Sequence, residues 1–225
     1  MQSIKDPTNI IKKALKSHAF IKELEQISSY ASNIRQERPI VYLLAKHLNM
    51  AGTHKVILEY KTGKGTKCDL LLDGSKVEAK FHYTFDIHQI DNEIKHPQKI
   101  KKNNTNWVVL PLIDKDMKNK KPDIFIWIIC ARDLSVFKNI EALTPSINWW
   151  EQQLRAETKI RKNIFKDNKY VQHKFMSYLR QYNDNYYIQS VILPAKNGFL
   201  RSKTSKYGCF RSKYYFFICS RKNIH

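Results

Sequence analysis

The alternation of apolar and polar positions is sharpest over residues 67–81, Lys-Cys-Asp-Leu-Leu-Leu-Asp-Gly-Ser-Lys-Val-Glu-Ala-Lys-Phe. It predicts two short strands joined at Asp73-Gly74. That dipeptide is a favoured two-residue hairpin loop, because a type I′ turn needs positive φ at both central positions. The loop pairs Leu72 with Ser75, Leu71 with Lys76, Leu70 with Val77 and Asp69 with Glu78. Side chains alternate across a strand, so Val77, Ala79 and Phe81 share an apolar face with Leu70 and Leu72. The opposite face carries Asp69, Glu78 and Lys80.

Around this hairpin the pattern changes period. Asp6-Pro7 reads as the cap and first residue of a helix, with Ile10, Ala14, Leu15, Ile21, Leu24 and Ile27 forming one stripe. A second helix starts near Arg35, with Ile40, Val41, Leu44, Ala45 and Leu48 on one face, and Gly52 stops it. Pro39 is tolerated there because it falls in the first turn. Residues 54–61 read as a strand and 62–66 as a basic hairpin loop that lacks the features of a P-loop. Residues 85–104 are partly helical, through Ile87, Ile90, Ile94 and Ile100. Residues 106–113 read as a strand and 114–122 as a charged loop. Residues 123–130 are a continuous apolar run, expected of a strand buried on both faces. Thr144-Pro145 starts a helix through Trp149, Trp150 and Leu154. Asp167 caps another, with Val171, Phe175, Tyr178, Leu179 and Tyr182 on one stripe. Strands return at 186–193 and 214–219. The expected class is α/β, a central mixed sheet flanked by helices. Residues 1–140 form the core, holding the hairpin 67–82. Residues 141–225 form a helical and basic, β-rich extension packed on it.

Composition narrows the function. An apolar content of 42% in 225 residues supports a folded core. No run approaches the about 20 apolar residues of a membrane helix, and the first residues lack the apolar core of a signal peptide. Cys68, Cys130, Cys209 and Cys219 form no CxxC pair, so neither a zinc knuckle nor a disulfide framework is indicated. His54, His82, His88 and His96 give no chelating spacing. A reduced, cytoplasmic protein is expected. The net charge is +20, with 40 Lys and Arg against 20 Asp and Glu. Lys, Asn and Ile are enriched together, as in an AT-rich genome, but the field still attracts polyanions, so a nucleic acid is the expected partner.

The two facing carboxylates of the hairpin carry the chemistry. Directly opposed residues sit roughly 4.5–5.5 Å apart at Cβ, so Asp69 and Glu78 repel unless a cation lies between them. Oxygen ligands suit Mg²⁺, with water and a phosphate oxygen completing the shell. Lys80, on the same face, is placed to orient or activate a water or to stabilise charge on a phosphate.

With these residues the stretch resembles the PD-(D/E)xK nuclease superfamily, the restriction-endonuclease-like fold. Asp69 matches the first acid, Glu78 the second and Lys80 the lysine; Cys68, not proline, precedes Asp69. Acid-x-Lys also occurs at Glu59, Glu93, Asp116, Glu157 and Asp167. Pro122-Asp123 ahead of Glu157-Thr158-Lys159 is a decoy, because Glu157 lies in a polar, helix-like run. Only Glu78 has both the hairpin and the facing acid. The resemblance covers the architecture of roughly residues 35–130.

The resemblance implies a Mg²⁺-dependent DNA endonuclease, with Mn²⁺ able to substitute and no nucleotide cofactor. It implies Asp69, Glu78 and the Ala79 carbonyl as metal ligands and Lys80 as the group assisting water. Relatives carry an acid on the helix before the hairpin. Glu37 is the best-placed match, although a first-turn acid also complements the helix dipole. A small stand-alone protein of this kind is most like a type II restriction enzyme of a restriction-modification system, usually a homodimer. A Holliday-junction resolvase or a repair or homing nuclease shares the same chemistry. A non-catalytic basic DNA-binding protein is the alternative from another class. For DNA contact, Arg201 and Lys203 recur as Arg211 and Lys213 in an aromatic-rich segment, where basic side chains can meet phosphates.

Overall fold

In the computed structural model, which describes residues 6–30, 36–50, 52–61, 67–97, 108–133, 164–201 and 207–222, the N-terminal apolar stripe is split into two helices. Helix α1 (Pro7–Lys16) is capped by Asp6, whose carboxylate accepts the Thr8 N–H at 2.9 Å. The chain extends at Ser17 (ψ 142°) and re-enters α2 (His18–Tyr30), where Ser17 Oγ accepts the Phe20 N–H. The break rotates the stripe. Ile11, Leu15, Phe20, Leu24 and Ile27 are buried, while Ile10, Ala14 and Ile21 pack around them. Helix α3 (Glu37–Met50) follows, burying Ile40, Val41, Leu44, Ala45 and Leu48, and the chain leaves it through Gly52 at φ 63°.

Strand β1 (Val56–Leu58) pairs antiparallel with β2 (Leu70–Leu72), and an antiparallel bridge joins Lys61 to Lys67. Strand β3 (Ser75–Tyr83) pairs with β2 in the register the sequence predicts, Leu70↔Val77, Leu71↔Lys76 and Leu72↔Ser75. Asp73 and Gly74 both have positive φ, 48° and 89°, as a type I′ turn demands. After helix α4 (Asp86–Lys95) and the short α5 (Leu110–Asp114), strand β4 (Ile124–Asp133) lies parallel to β3.

Residues 108–113, expected as part of a strand, instead lead into and form α5. The reason is visible in the spacing of Val109, Ile113 and Met117, which are all buried at intervals of one helical turn. Pro111 has no N–H to give a central strand but fits a first turn. The buried Glu93 of α4 completes the start of α5, accepting the N–H groups of Val109 and Leu110, both at 2.8 Å. The expected loop after it is also helical. A wide, π-type turn spans Lys115–Lys120 and ends at Lys121 in the left-handed region.

Asp167 caps α6 (Asn168–Leu179), accepting the Tyr170 N–H, and Val171, Phe175, Tyr178, Leu179 and Tyr182 are buried as expected. The last two strands are longer than their apolar cores suggest. Strand β5 (Tyr186–Arg201) pairs with β6 (Tyr207–Arg221), with a register shift between Leu193 and Lys196 at Pro194, a residue that cannot donate to the ladder. Strand β6 also pairs antiparallel with β4 from Ile124↔Ser220 to Asp133↔Arg211. Residues on both sides of position 140 therefore share one sheet.

Among the described residues this mixed sheet has six strands in the order β1-β2-β3-β4-β6-β5. Its two faces are both covered. Ile124, Ile126, Ile128, Tyr214, Phe216 and Ile218 join Val77, Ala79 and Phe81 against α1–α3. Phe125, Trp127, Ile129, Tyr215 and Phe217 pack with α4, α5 and α6 on the other side. The fold is thus α/β, a mixed sheet between helices. No helix among the described residues is long and apolar enough to cross a membrane. The helix expected from Thr144, with Trp149, Trp150 and Leu154, and the decoy Glu157 with Lys159, lie outside the described residues, as do 62–66.

Candidate active site at the open edge of β3

Strand β3 outruns its partner. Strand β2 spans only Leu70–Leu72, so beyond Val77 the edge of β3 facing it has no strand neighbour among the described residues. Side-chain carboxylates take the exposed donors instead. Asp69 Oδ2 accepts the Ala79 N–H at 2.7 Å, Glu37 Oε2 the Phe81 N–H at 3.0 Å, and Asp86 Oδ2 the Tyr83 N–H at 2.9 Å. An unmade backbone hydrogen bond in this half-buried setting costs about 1–3 kcal/mol, so each acid satisfies a real deficit. The N–H and C=O of one strand residue leave on the same side. The Ala79 carbonyl therefore shares the edge on which Asp69 lies.

Glu78 and Lys80 project from the sheet face that meets α4–α6, opposite Val77, Ala79 and Phe81. There the π-type turn brings two residues not foreseen as members of the site, Asp116 and Lys120. The Lys120 ammonium bonds Glu78 Oε1 and lies 2.8 Å from Asp116 Oδ1. Lys80 Nζ lies 3.2 Å from Asp116 Oδ2, 3.7 Å from Glu78 Oε1 and 3.7 Å from Glu37 Oε1. Asp116 was visible in the sequence only as one of several acid-x-Lys matches. The usable signal was the pair Asp116 and Lys120 at i,i+4, one turn apart on an amphipathic segment with Ile113 and Met117 inside.

Burial sets the electrostatics. Glu78 is 2% exposed and Asp116 3%. Burial first, and then the Asp69 carboxylate, push Glu78 up to about 7, although Lys120 pulls the other way. Burial works against charge on Lys80, but the carboxylates of Glu37, Asp116, Glu78 and Asp69 outweigh it and raise its pKa. Lys120 is likewise raised despite burial, by its bonds to Asp116 and Glu78. Both lysines are therefore ammonium groups at neutral pH, so Lys80 acts here as a donor and a charge rather than as a base. Burial, then Glu78 and Asp69, also raise Cys68, which stays a protonated, buried thiol.

The donors suit a hard cation such as Mg²⁺. They are all oxygens, and Glu78 Oε2 is buried with no hydrogen-bond partner. Among the described residues no three acid, imidazole or thiol groups already surround a single point; the two ammonium groups lie among the carboxylates. Two of the histidines singled out in the sequence have other roles. His82 Nδ1 accepts the Trp127 Nε1–H at 3.0 Å, and His54 pairs with Asp73 at 2.7 Å.

Of the residues expected to touch DNA, Arg211 and Lys213 have described side chains. Lys213 is turned inward, donating to the Phe165 carbonyl at 2.9 Å and to Asn168 Oδ1 at 2.7 Å. Arg211 is exposed, with its guanidinium 5.8 Å from the Phe165 ring centre. Arg201 ends β5, opposite Tyr207, and Lys203 lies outside the described residues. No family model, no curated protein and no solved structure matches this chain.

Proposed function

We propose that this chain is a Mg²⁺-dependent DNA endonuclease of the PD-(D/E)xK, restriction-endonuclease-like type, most like a type II restriction enzyme acting as a homodimer. The observation that carries the reading is the cluster on β3. Glu78 and Asp116 meet Lys80 and Lys120 on one face of β3, and Asp69 and Glu37 join them from the edge that, among the described residues, has no strand beside it past Val77. A scaffold gains little from burying acids and ammonium groups together, since apolar side chains of the same volume do as well or better. Buried, charge-coupled groups of this kind are instead typical of reactive sites.

Asp69 and Glu78, with the Ala79 carbonyl, would hold the cation. Bound there, it would acidify a water and offset charge on the phosphate. The protein's own contribution is positional. The +20 charge draws DNA to the surface. Phe81 fixes Glu37 through its N–H, and Glu37 in turn faces Lys80. Lys80 donates to the attacking water or to a non-bridging phosphate oxygen. Water adds to phosphorus in line with the departing 3′ oxygen, which leaves as the P–O bond breaks and takes up a proton.

A second reading is a basic DNA-binding protein without catalysis. It is favoured by the fact that Asp69 and Glu37 already serve as backbone acceptors, a structural use. The experiment that separates the two is incubation of purified protein with plasmid and with four-way junctions, with and without Mg²⁺. Discrete plasmid bands support a restriction enzyme, and cleavage confined to junctions supports a resolvase. Retarded but uncut DNA in Mg²⁺ and in Mn²⁺ would leave only the binding protein.

A further inference from the structure

Lys120 contacts the two most buried acids among the described residues. Its ammonium bridges Glu78 Oε1 and Asp116 Oδ1, on side chains that are 2% and 3% exposed. The remaining oxygens are poorly served. Glu78 Oε2 has no hydrogen-bond partner, and Asp116 Oδ2 has an ion-pair contact with Lys80 but no hydrogen bond. Four carboxylates face two ammonium groups, which leaves an excess of negative charge in an otherwise strongly basic chain. Lys120 is also at the end of its segment, next to Lys121 in the left-handed conformation. It is half-buried and reaches the acids from the rim, whereas Lys80 is planted in the strand.

We propose that Lys120 is a tethered stand-in for the metal: its ammonium holds the position between Glu78 and Asp116 that a divalent cation takes, and Asp116 is a further ligand of that cation. The inference rests on the metal-site reading above and adds to it a ligand and a competitor. A lysine that merely braced the fold would bind its acids alongside the metal. A stand-in must leave before the metal can bridge them. Once displaced, the ammonium is free to turn outward to the phosphate backbone, so that metal entry and phosphate binding favour each other.

The test is calorimetric titration of Mn²⁺ into the full chain without DNA, together with thermal melting in EDTA and in Mn²⁺. The set is wild type, Lys120→Met, Asp116→Asn and Asp69→Asn. Removing the competing ammonium should tighten Mn²⁺ binding by roughly tenfold or more, and D116N should weaken it by a similar factor, as expected when one charged contact is lost or relieved. K120M should melt well below wild type in EDTA and recover most of the difference in Mn²⁺. If K120M does not fold in EDTA, D116N carries the test, because the amide keeps the shape of the carboxylate. Unchanged affinity in both K120M and D116N, beside a loss in D69N, overturns this inference alone. Absence of Mn²⁺ binding by every chain, wild type included, overturns the metal-site reading with it.

Discussion

The Phe81 N–H donates to Glu37 Oε2 at 3.0 Å, while Glu37 Oε1 lies 3.7 Å from the Lys80 ammonium. One carboxylate thus closes a gap in the sheet and faces the candidate site. Its two oxygens allow these uses to be separated. Glu37→Gln keeps an acceptor for Phe81 and should leave stability nearly unchanged. Glu37→Ala strands the N–H and should cost about 1–2 kcal/mol in a urea melt. If Glu37 serves the reaction, both variants lose cleavage. Full cleavage by E37Q with loss of stability in E37A would restrict it to the sheet edge.

Cleavage should require the hairpin acids. Asp69→Asn retains an oxygen for the Ala79 N–H, which is 2.7 Å from the carboxylate in the wild type, so the fold should persist. Asp69→Asn, Glu78→Gln and Lys80→Ala should each lower the rate at least on the order of a hundredfold, the usual cost of one group that meets developing charge. DNA binding without metal should hold or tighten in the first two, since each removes a negative charge near phosphate. Glu157→Gln with Lys159→Ala should cut normally. A dead decoy, or full activity in D69N, would put the active site elsewhere in the chain.

Glu78 predicts the pH dependence of stability. Its pKa is raised from 4.5 to about 7 in the folded protein, by burial and then by Asp69. The folded state therefore keeps a proton that the unfolded chain releases between these values. The stabilisation from protonated Glu78 is complete below about pH 4.5 and is lost as pH rises through about 7. In EDTA, Glu78→Gln should gain on wild type between pH 5 and pH 8 by on the order of 1–3 kcal/mol, read from urea midpoints. A gap between the two chains that does not vary with pH would show that Glu78 is not shifted. Because a ligand must be deprotonated, Mn²⁺ affinity of the wild type should rise over the same range.

Lys213 and Arg211 should respond differently to neutralisation. Lys213 holds the Phe165 carbonyl and Asn168, so Lys213→Gln should destabilise the fold whether or not DNA is present. Arg211 is exposed, and Arg211→Gln should leave stability alone. If that segment meets a phosphate, it should lower the slope of log K against log salt by about 1. Neutralising Arg201, Lys203 and Arg211 together without changing the slope would move the DNA surface away from the C-terminal hairpin.

The hairpin at Asp73-Gly74 was legible because its causes are local. The turn dipeptide sets the register, and strict alternation places Val77, Ala79 and Phe81 against Leu70 and Leu72. The caps at Asp6 and Asp167 and the both-sided burial of β4 were legible for the same reason, since each depends on a few consecutive residues. Helix α5 was not. Its apolar residues suit a strand as well as a helix, and the choice is made by Pro111 together with a buried carboxylate, Glu93, supplied by another helix. The same holds for the cluster around Glu78. Asp69, Glu78 and Lys80 can be read as neighbours because one hairpin joins them. Glu37 reaches the Phe81 N–H from the preceding helix where, among the described residues, the short β2 supplies no strand partner. Asp116 and Lys120 reach Glu78 only through a helical turn that packs on the far face of the sheet. No sequence spacing encodes that meeting, because it is set by where whole layers pack.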